Sequence, residues 1–254
     1  MRADRAPPAR PPHRRDHLTS LRAVPGLPEV RPGDDLAAML PEVGSDEIVV
    51  VSHKVVSKAE GRIVDLTTVE PSDLARALGK DDVRLAEVIL TESAAIVARR
   101  EGGVVISETR HGFVCANAGV DRSNVPGDDT AVLLPLDPDR SARELRARLP
   151  NRPGVIISDT FGRAWRVGQV EVAIGIAGVQ PVDDWRGRSD AEGRSLAATQ
   201  LAVADAIAAA SELVRAKDSR EPVVVVGGLG RYVTDDDGPG AAALIRAREA
   251  DLFR

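Results

Sequence analysis

The feature that most constrains this chain is an apolar run that leads directly into polar residues, within residues 154–178. Residues 155–157 are all apolar and β-branched, which is typical of a buried strand. We predict that this strand ends at Asp159 and Thr160, and that residues 161–163 turn the chain. A carboxylate beside a hydroxyl at a strand end can bind Mg²⁺ or Mn²⁺, which prefer oxygen ligands. The same residue types also commonly turn a chain, so both interpretations stay open.

Composition narrows the class of protein. The 254 residues can form one large domain or two small ones, and the net charge of −5 argues against general nucleic-acid binding. Two Trp, one Tyr and three Phe are too few for a base-stacking surface. The single cysteine, Cys115, excludes an internal disulfide and is predicted to lie in the core. Without a bilayer-length apolar run or a hydrophobic signal segment, a cytoplasmic protein is expected.

The order of predicted elements favours an α+β fold with mixed α/β sheets. Residues 1–20 are rich in Arg and Pro and are predicted to form a disordered tail before one domain at residues 21–254. Strands are predicted at residues 48–51, 104–106, 113–115, 130–134, 155–157, 170–176 and 223–226. Helices are predicted at residues 36–40, 72–79, 81–99, 141–149 and 196–214, with a short last helix that reaches residue 252. Because both hairpins and helices separate the strands, the pattern favours mixed sheets over a regular doubly wound sheet.

Three of these helices carry more specific predictions. Ser141 and Glu144 form a capping box, which predicts the start of the helix over residues 141–149. Ile96 extends the apolar stripe of the helix over residues 81–99. Asp205 is expected in the middle of its helix, either solvated or paired with an arginine.

A second polar stretch follows the predicted strand at residues 48–51. Residues 52–62 are predicted to continue that strand into a turn that carries Lys54, Lys58 and Arg62. These cations suit an anionic ligand, or they protect an exposed strand edge, and the pattern leaves both interpretations open. The spacing is not that of a P-loop.

Candidate binding residues also occur near two other predicted strands. In the loop over residues 117–124, Asp121 could ligate a metal ion and Asn124 could hydrogen-bond a ligand, although both are also ordinary turn residues. Beyond the strand at residues 155–157, the guanidinium of Arg163 could clamp phosphate or carboxylate groups.

Four of these segments carry a likeness to a known family. They are VVSKAEGR at residues 55–62, NAGVDRSN at residues 117–124, SDTFGR at residues 158–163 and DWRGRSDAEGR at residues 184–194. Taken together and in this order, they resemble the coenzyme F420:L-glutamate ligase family. Residues 26–28 and 33–36 fit the same family more weakly, and the resemblance extends from about residue 21 to residue 254.

The resemblance implies a fold and an activity. The implied fold is a butterfly-like homodimer of mixed α/β sheets, and the implied reaction uses GTP, two Mg²⁺ or Mn²⁺ ions and K⁺. It joins L-glutamate by an amide bond to the side-chain carboxylate of F420-0 or dehydro-F420-0 through an acyl phosphate, and then adds γ-linked glutamates. Neither nucleic acid nor membrane is an expected partner. A second, nitroreductase-like domain is not expected in this chain.

The resemblance also assigns roles to residues of this sequence. The implied metal ligands are Asp121, Asp159 and Thr160. The implied GTP-binding residues are Leu27, Pro28, Glu29, Val30, His53, Lys54, Lys58 and Asn124. The implied catalytic residues are Asp159, Lys58 and Arg163.

The chain departs from the family pattern in two places. His53 stands where the family tends to have a small residue, and residues 215–221 replace a Gly-rich nucleotide loop with one that contains Lys217 and Arg220. Two alternatives are kept beside the ligase. One is a non-catalytic homologue that binds nucleotide or phosphate, and the other is an acid–amine ligase that acts on a different phosphorylated acid.

Overall fold

A central sheet of five strands organises the computed structural model, which describes residues 18–100, 103–125 and 127–252. Of the predicted tail at residues 1–20, residues 1–17 lie outside the described residues. The first strand then begins at Ser20. Along the chain, short strands are interspersed with short helices.

The elements have the following bounds. The strands are β1 (Ser20–Ala23), β2 (Ile48–Ser52), β3 (Ile63–Asp65), β4 (Ser93–Arg99), β5 (Val105–Thr109), β6 (Val114–Ala116), β7 (Thr130–Val132), β8 (Gly154–Arg163), β9 (Arg166–Ala177), β10 (Val182–Asp184), β11 (Gln200–Ala202) and β12 (Val223–Gly227). The α-helices are α1 (Leu36–Met39), α2 (His53–Ala59), α3 (Asp73–Ala77), α4 (Val83–Glu92), α5 (Pro138–Arg148) and α6 (Val203–Ser211). Short 3₁₀ turns are Leu66–Thr68, Asn117–Gly119, Glu212–Val214, Gly230–Tyr232, Ala241–Leu244 and Arg248–Ala250.

The central sheet has the order β1-β12-β2-β8-β9, and strands β12 and β2 and the first half of β8 are buried on both faces. Strands β2 and β8 pair in parallel, whereas the other neighbours are antiparallel. Side chains alternate across β2, so that Val49 and Val51 join the core on the α5 face while Ile48 and Val50 join the core on the α6 face. Two-sided burial explains why these strands read as continuous apolar runs.

Three smaller sheets surround this layer. They have the orders β4-β5-β6, β3-β7 and β10-β11. A separate apolar cluster that includes Leu66, Ile89 and Val105 fills the space between α4 and the neighbouring strands. The mixed α/β sheets predicted from the sequence are therefore confirmed. Among the described residues, no helix is both long enough and apolar enough to cross a membrane.

The predicted strand-and-turn at residues 52–62 is wrong, because His53–Ala59 forms helix α2. The β-branched residues Val55 and Val56 suggest a continuing strand, but both are buried on the helix face that packs into the core. Burial of that face outweighs their weak helix propensity.

The predicted helix over residues 81–99 is also too long. Helix α4 is capped by Asp82 and ends at Glu92, after which β4 pairs with β5. Ile96 therefore lies on a strand, and its apparent helical spacing is accidental. The hydroxyl of Ser93 donates to the carbonyl oxygen of Ile89 at the point where the helix ends.

The predicted turn at Asp159 and Thr160 is wrong as well, because β8 continues to Arg163 and the hairpin turns beyond it. The parallel ladder with β2 stops at the pair Ser52–Ser158, but the antiparallel ladder with β9 continues. A register shift in that ladder lies between Ile157 and Ser158. Polar residues therefore follow the end of one ladder and a local irregularity of the other, and the strand itself does not end there.

Two helix starts differ from the prediction. Helix α5 begins at Pro138, three residues before the predicted cap Ser141, because Asp137 is the cap and its side chain accepts from the backbone N–H of Arg140. Helix α6 begins at Val203, because the preceding residues form β11. The predicted last helix consists instead of 3₁₀ turns, at Ala241–Leu244 and Arg248–Ala250.

Asp205 lies in the first turn of α6 instead of in the middle of a helix. Its Oδ1 accepts a hydrogen bond of 2.9 Å from the backbone N–H of Ala173 in β9, and among the described residues no arginine pairs with it. Burial raises the pKa of this carboxyl above its ordinary value, although the bond from Ala173 opposes the shift. The folded state therefore holds a proton more tightly than the unfolded state, and stability falls as pH rises through the interval between the two pKa values.

We expect Asp205→Asn to stabilise the protein relative to wild type, and the gain should grow from pH 4 to pH 7. Asparagine keeps an acceptor for Ala173 and removes the desolvated charge. Asp205→Ala should be less stable than Asp205→Asn by about 1–3 kcal/mol, because the buried N–H loses its acceptor. Urea unfolding of the three proteins at several pH values measures both effects. A stability difference between Asp205→Asn and wild type that did not change with pH would contradict the expected effect of the buried charge.

Candidate active site

A cavity of about 790 Å³ opens at the carboxyl ends of the parallel strands β2 and β8. Ligand sites of open α/β sheets commonly lie at such strand ends. It is lined by Leu27, Pro28, Glu29, Val30, Ser52, Lys54, Val55, Lys58, Asp121, Ser123, Asn124, Val125, Asp159, Thr160, Gln169, Glu171, Glu212, Arg215, Ala216, Lys217, Arg220, Glu221 and Pro222. Five stretches far apart in the sequence therefore meet at one place, within residues 27–30, 52–58, 121–125, 159–171 and 212–222.

Every site residue predicted from the sequence lines this cavity except His53 and Arg163. His53 is 1% exposed, and its Nε2 lies 3.2 Å from Oδ1 of Asp159 without forming a hydrogen bond. The imidazole therefore supports Asp159 from behind and does not face a ligand. Arg163 lies at the far end of β8, where its Nη2 donates to the carbonyl oxygen of Val167.

Helix α2 brings two ammonium groups into the cavity. It begins directly after β2, and Lys54 and Lys58 are four residues apart, so they project from the same face. The Nζ of Lys58 lies 2.5 Å from Oε1 of Glu29, which is largely exposed. The buried ammonium of Lys58 is thus available to a ligand that can replace a single exposed carboxylate.

Asp121 lines the cavity next to Lys54. Its Oδ2 lies 2.7 Å from Nζ of Lys54, and its Oδ1 accepts from the backbone N–H of Ser123 at 2.7 Å. Burial alone would raise the pKa of Asp121, but the hydrogen bonds and charge of Lys54 and the bonds from Ser123 outweigh it and lower this pKa below its ordinary value. The carboxylate is therefore held in its charged form.

Asp159 and Thr160 lie on β8, just beyond the register shift described above. The backbone N–H of Thr160 donates to Oδ1 of Asp159 at 2.7 Å. The hydroxyl of Thr160 accepts from Nζ of Lys217 at 2.9 Å. Both side chains are partly exposed to the cavity, as binding residues must be.

Sequence reasoning missed a buried ion pair in the wall of the cavity. Glu171 lies opposite Thr160 in the β8–β9 ladder, and its Oε2 accepts from the guanidinium of Arg215 and, at 2.5 Å, from the hydroxyl of Ser158. Glu212 adds a further contact, because its Oε2 accepts from the backbone N–H of Glu171. The one indication in the sequence was Glu171 itself, a single carboxylate within the otherwise apolar predicted strand at residues 170–176.

The chemistry of the cavity suits hard divalent cations. Asp121, Asp159 and Thr160 present carboxylate and hydroxyl oxygens, which are the donors that Mg²⁺ and Mn²⁺ prefer. Within the residues that the structure describes, no three His, Cys, Asp or Glu side chains form a closed metal cage. Mg²⁺ is often held by one or two carboxylates together with substrate phosphates, so the donor set fits an ion shared with a nucleotide.

Cys115 lies in the core, as predicted from the sequence. Burial, and then the charge of Asp159, raise the pKa of its thiol to about 12. A thiol that stays protonated is a poor nucleophile. Covalent catalysis by Cys115 is therefore not part of the chemistry of this cavity.

The arginine-rich segment at residues 184–194 lies outside the cavity lining. The guanidinium of Arg188 stacks 4.8 Å from the ring centroid of Trp185, and Arg186 pairs with Asp184 at 2.5 Å. This segment therefore forms contacts within itself and does not supply the positive charge of the cavity.

Comparison with known proteins decides the family. Residues 26–228 match the family model described as F420-0:Gamma-glutamyl ligase. The chain belongs to this family. It is 46% identical over 252 residues to the coenzyme F420:L-glutamate ligase of Methanothermobacter thermautotrophicus, with 92% of this chain and 98% of the relative covered.

Two further relatives bear the same name. The protein of Methanopyrus kandleri is 45% identical over 246 residues, which cover 92% of this chain and 97% of the relative. The protein of Natronomonas pharaonis is 41% identical over 245 residues, which cover 91% of this chain and 93% of the relative. The resemblance found in the four sequence segments is thereby confirmed over most of the chain.

Glu171→Gln should lower the free energy of unfolding by roughly 3–5 kcal/mol, because it leaves the buried guanidinium of Arg215 without a charged partner. Urea unfolding followed by circular dichroism measures the loss. The matched control is Arg194→Gln, which breaks the exposed pair with Asp190 and should leave stability nearly unchanged. Equal effects of the two variants would contradict the assignment of a buried pair.

Proposed function

We propose that this chain is a GTP-dependent ligase that joins L-glutamate by an amide bond to the side-chain carboxylate of coenzyme F420-0 or dehydro-F420-0. Further glutamates would be added through γ linkages. Membership of the family and the name of the relatives support the reaction class. The proposal includes divalent cations, K⁺, a homodimer and a cytoplasmic location, as the sequence resemblance implies.

One observation carries the proposal: the cavity brings together residues that the sequence predicts to bind ligands, from four separate stretches. The same space is lined by residues 27–30, by the lysines of α2, by Asp121, Ser123 and Asn124, and by the pair Asp159–Thr160. Its volume of about 790 Å³ lies in the usual range of small-molecule sites. The cavity therefore combines ammonium groups for phosphates with carboxylates for metal ions.

Nucleotide phosphates would bind at the ammonium groups of α2. Lys58 is buried, and its partner Glu29 is exposed, so a polyphosphate can displace the carboxylate and take over the same ammonium. Lys54 lies one helical turn away, and Asn124 adds an amide on the same wall. Residues 27–30 would contact the remainder of GTP.

Divalent ions would be held by Asp121, Asp159 and Thr160. When bound, such ions offset the negative charge that develops on a transferred phosphoryl group. His53 would limit the movement of the Asp159 carboxylate by contact alone, because its buried Nε2 lies 3.2 Å from Oδ1 without a hydrogen bond. The bond from the N–H of Thr160 fixes the same carboxylate from the strand.

The reaction needs positioned charge and no protein nucleophile. A carboxylate oxygen of the acceptor attacks the γ-phosphorus of GTP, the bond to the bridging oxygen breaks, and GDP leaves. The amine of glutamate then attacks the acyl carbon, loses a proton and displaces phosphate, which forms the amide. Lys54 and Lys58 would hold the transferred phosphoryl group in place, and such positioning and electrostatic stabilisation account for most phosphoryl-transfer catalysis.

Asp159→Ala should lower the rate of glutamate addition at least about 100-fold with little loss of stability. The side chain lines the cavity, where its charge would bind a metal ion, and it does not pack in the apolar core. Purified protein is mixed with F420-0, L-glutamate, GTP and Mn²⁺, and products are counted by mass spectrometry, with ATP and metal-free controls. Glu144→Ala is the matched variant, because this exposed carboxylate pairs with Arg140 on α5, outside the cavity lining.

The assay also separates the alternatives. Nucleotide binding by wild type without glutamate addition would favour a non-catalytic homologue, and addition to a different phosphorylated acid would favour another acid–amine ligase. An Asp159→Ala variant with near-normal activity would contradict the metal-binding role of this residue.

A further inference from the structure

The loop that follows the 3₁₀ turn Glu212–Val214 brings an ammonium group into the cavity. The Nζ of Lys217 lies 2.9 Å from Oγ1 of Thr160 and 2.5 Å from Oε1 of Glu212. A third oxygen, Oε1 of Glu171, lies 3.9 Å away. These oxygens come from β8, β9 and the 3₁₀ turn, so the ammonium joins three separate walls of the cavity.

The three oxygens around Lys217 are of the kind that bind a hard cation. Two are carboxylate oxygens, and the third belongs to Thr160, which the sequence predicts as a metal ligand. Mg²⁺ binds oxygen at about 2.0–2.1 Å. A divalent ion bound to Oγ1 of Thr160 would thus lie within about 5 Å of the ammonium, where like charges repel each other.

The choice of lysine supports a specific role for this charge. Of the 34 cationic side chains, only Lys54, Lys58, Lys80 and Lys217 are lysines, and all but Lys80 line the cavity. The other cationic side chains are arginines, and of these Arg215 and Arg220 also line the cavity. An ammonium is a compact point charge with three donors, whereas a guanidinium is a planar fork, so lysine imitates a bound metal ion more closely.

We propose that the ammonium of Lys217 takes the place of one of two divalent ions, so that the cavity binds one such ion per chain. The inference rests on the proposed function, because it concerns the metal ions of that same site. The remaining ion would bind at Asp121 and Asp159. Thr160 and Glu212 would then hold a cation that is part of the chain, and they would need no second metal ion.

Lys54 does not replace a metal ion at Asp121 in the way proposed for Lys217 at Thr160. Its Nζ also bonds the hydroxyl and the carbonyl oxygen of Ser123, at 2.6 and 3.2 Å, so that it is tied to the loop that carries Asp121. A carboxylate has about four lone-pair sites, so Asp121 can accept from Lys54 and still bind an ion. Thr160 offers a single hydroxyl oxygen, and Lys217 directs its charge at that atom.

The test is the number of Mn²⁺ ions bound per chain in the presence of a non-hydrolysable GTP analogue, measured by electron paramagnetic resonance. Wild type should bind one ion, and Lys217→Met should bind two, because removal of the ammonium frees three oxygens. Lys217 is 66% exposed, so this substitution should leave the fold intact, which thermal unfolding checks. Arg220→Met removes a charge from the same loop without touching these oxygens, and Lys217→Arg keeps the charge; both should bind one ion.

Two results would overturn the inference while leaving the proposed function intact: two ions bound to wild type, or one ion bound to Lys217→Met. Absence of Mn²⁺ binding in all variants would overturn the metal-binding part of the proposed function and this inference with it. Glutamate addition by wild type, measured separately, reports on the ligase activity itself.

Discussion

The parallel pairing of β2 with β8 is the constraint on which the rest of the structure depends. Their five-residue ladder is buried on both faces, so its register cannot shift without exposing apolar side chains. Each strand carries polar residues just beyond the ladder: β2 leads into α2 with its lysines, and β8 continues into Asp159 and Thr160. Burial of apolar residues therefore fixes the distance between the cations and the carboxylates of the cavity.

The cavity is notable for charges that already have partners. Lys54 pairs with Asp121, Lys58 with Glu29, and Arg215 with Glu171. Such pairing avoids the high free energy of an isolated charge in a partly buried site. It also means that an anionic ligand competes with a protein carboxylate, so binding exchanges one ion pair for another. The exposed partner, Glu29, is the easiest of the carboxylates to displace.

The sequence predicted the parts of the fold that local patterns determine. The strands at residues 48–51 and 223–226 were evident because β-branched runs there are bounded by polar residues. Helix α2 was missed because its valines favour a strand locally and only tertiary burial makes them helical. Motif segments located most lining residues, but Glu171 was missed because its partner Arg215 is 44 residues away in the chain, and sequence periodicity does not report such a contact.

The single thiol, which is buried, can be used to measure local opening of the structure. Cys115 lies in β6, and the charge of Asp159 contributes to the raised pKa of its thiol. A thiol with a pKa of about 12 is almost wholly protonated at neutral pH, and burial keeps reagents away from it. Its rate of alkylation therefore measures how often β6 separates from its neighbours. Ligands that tighten the wall around Asp159 would slow that rate without any engineered label.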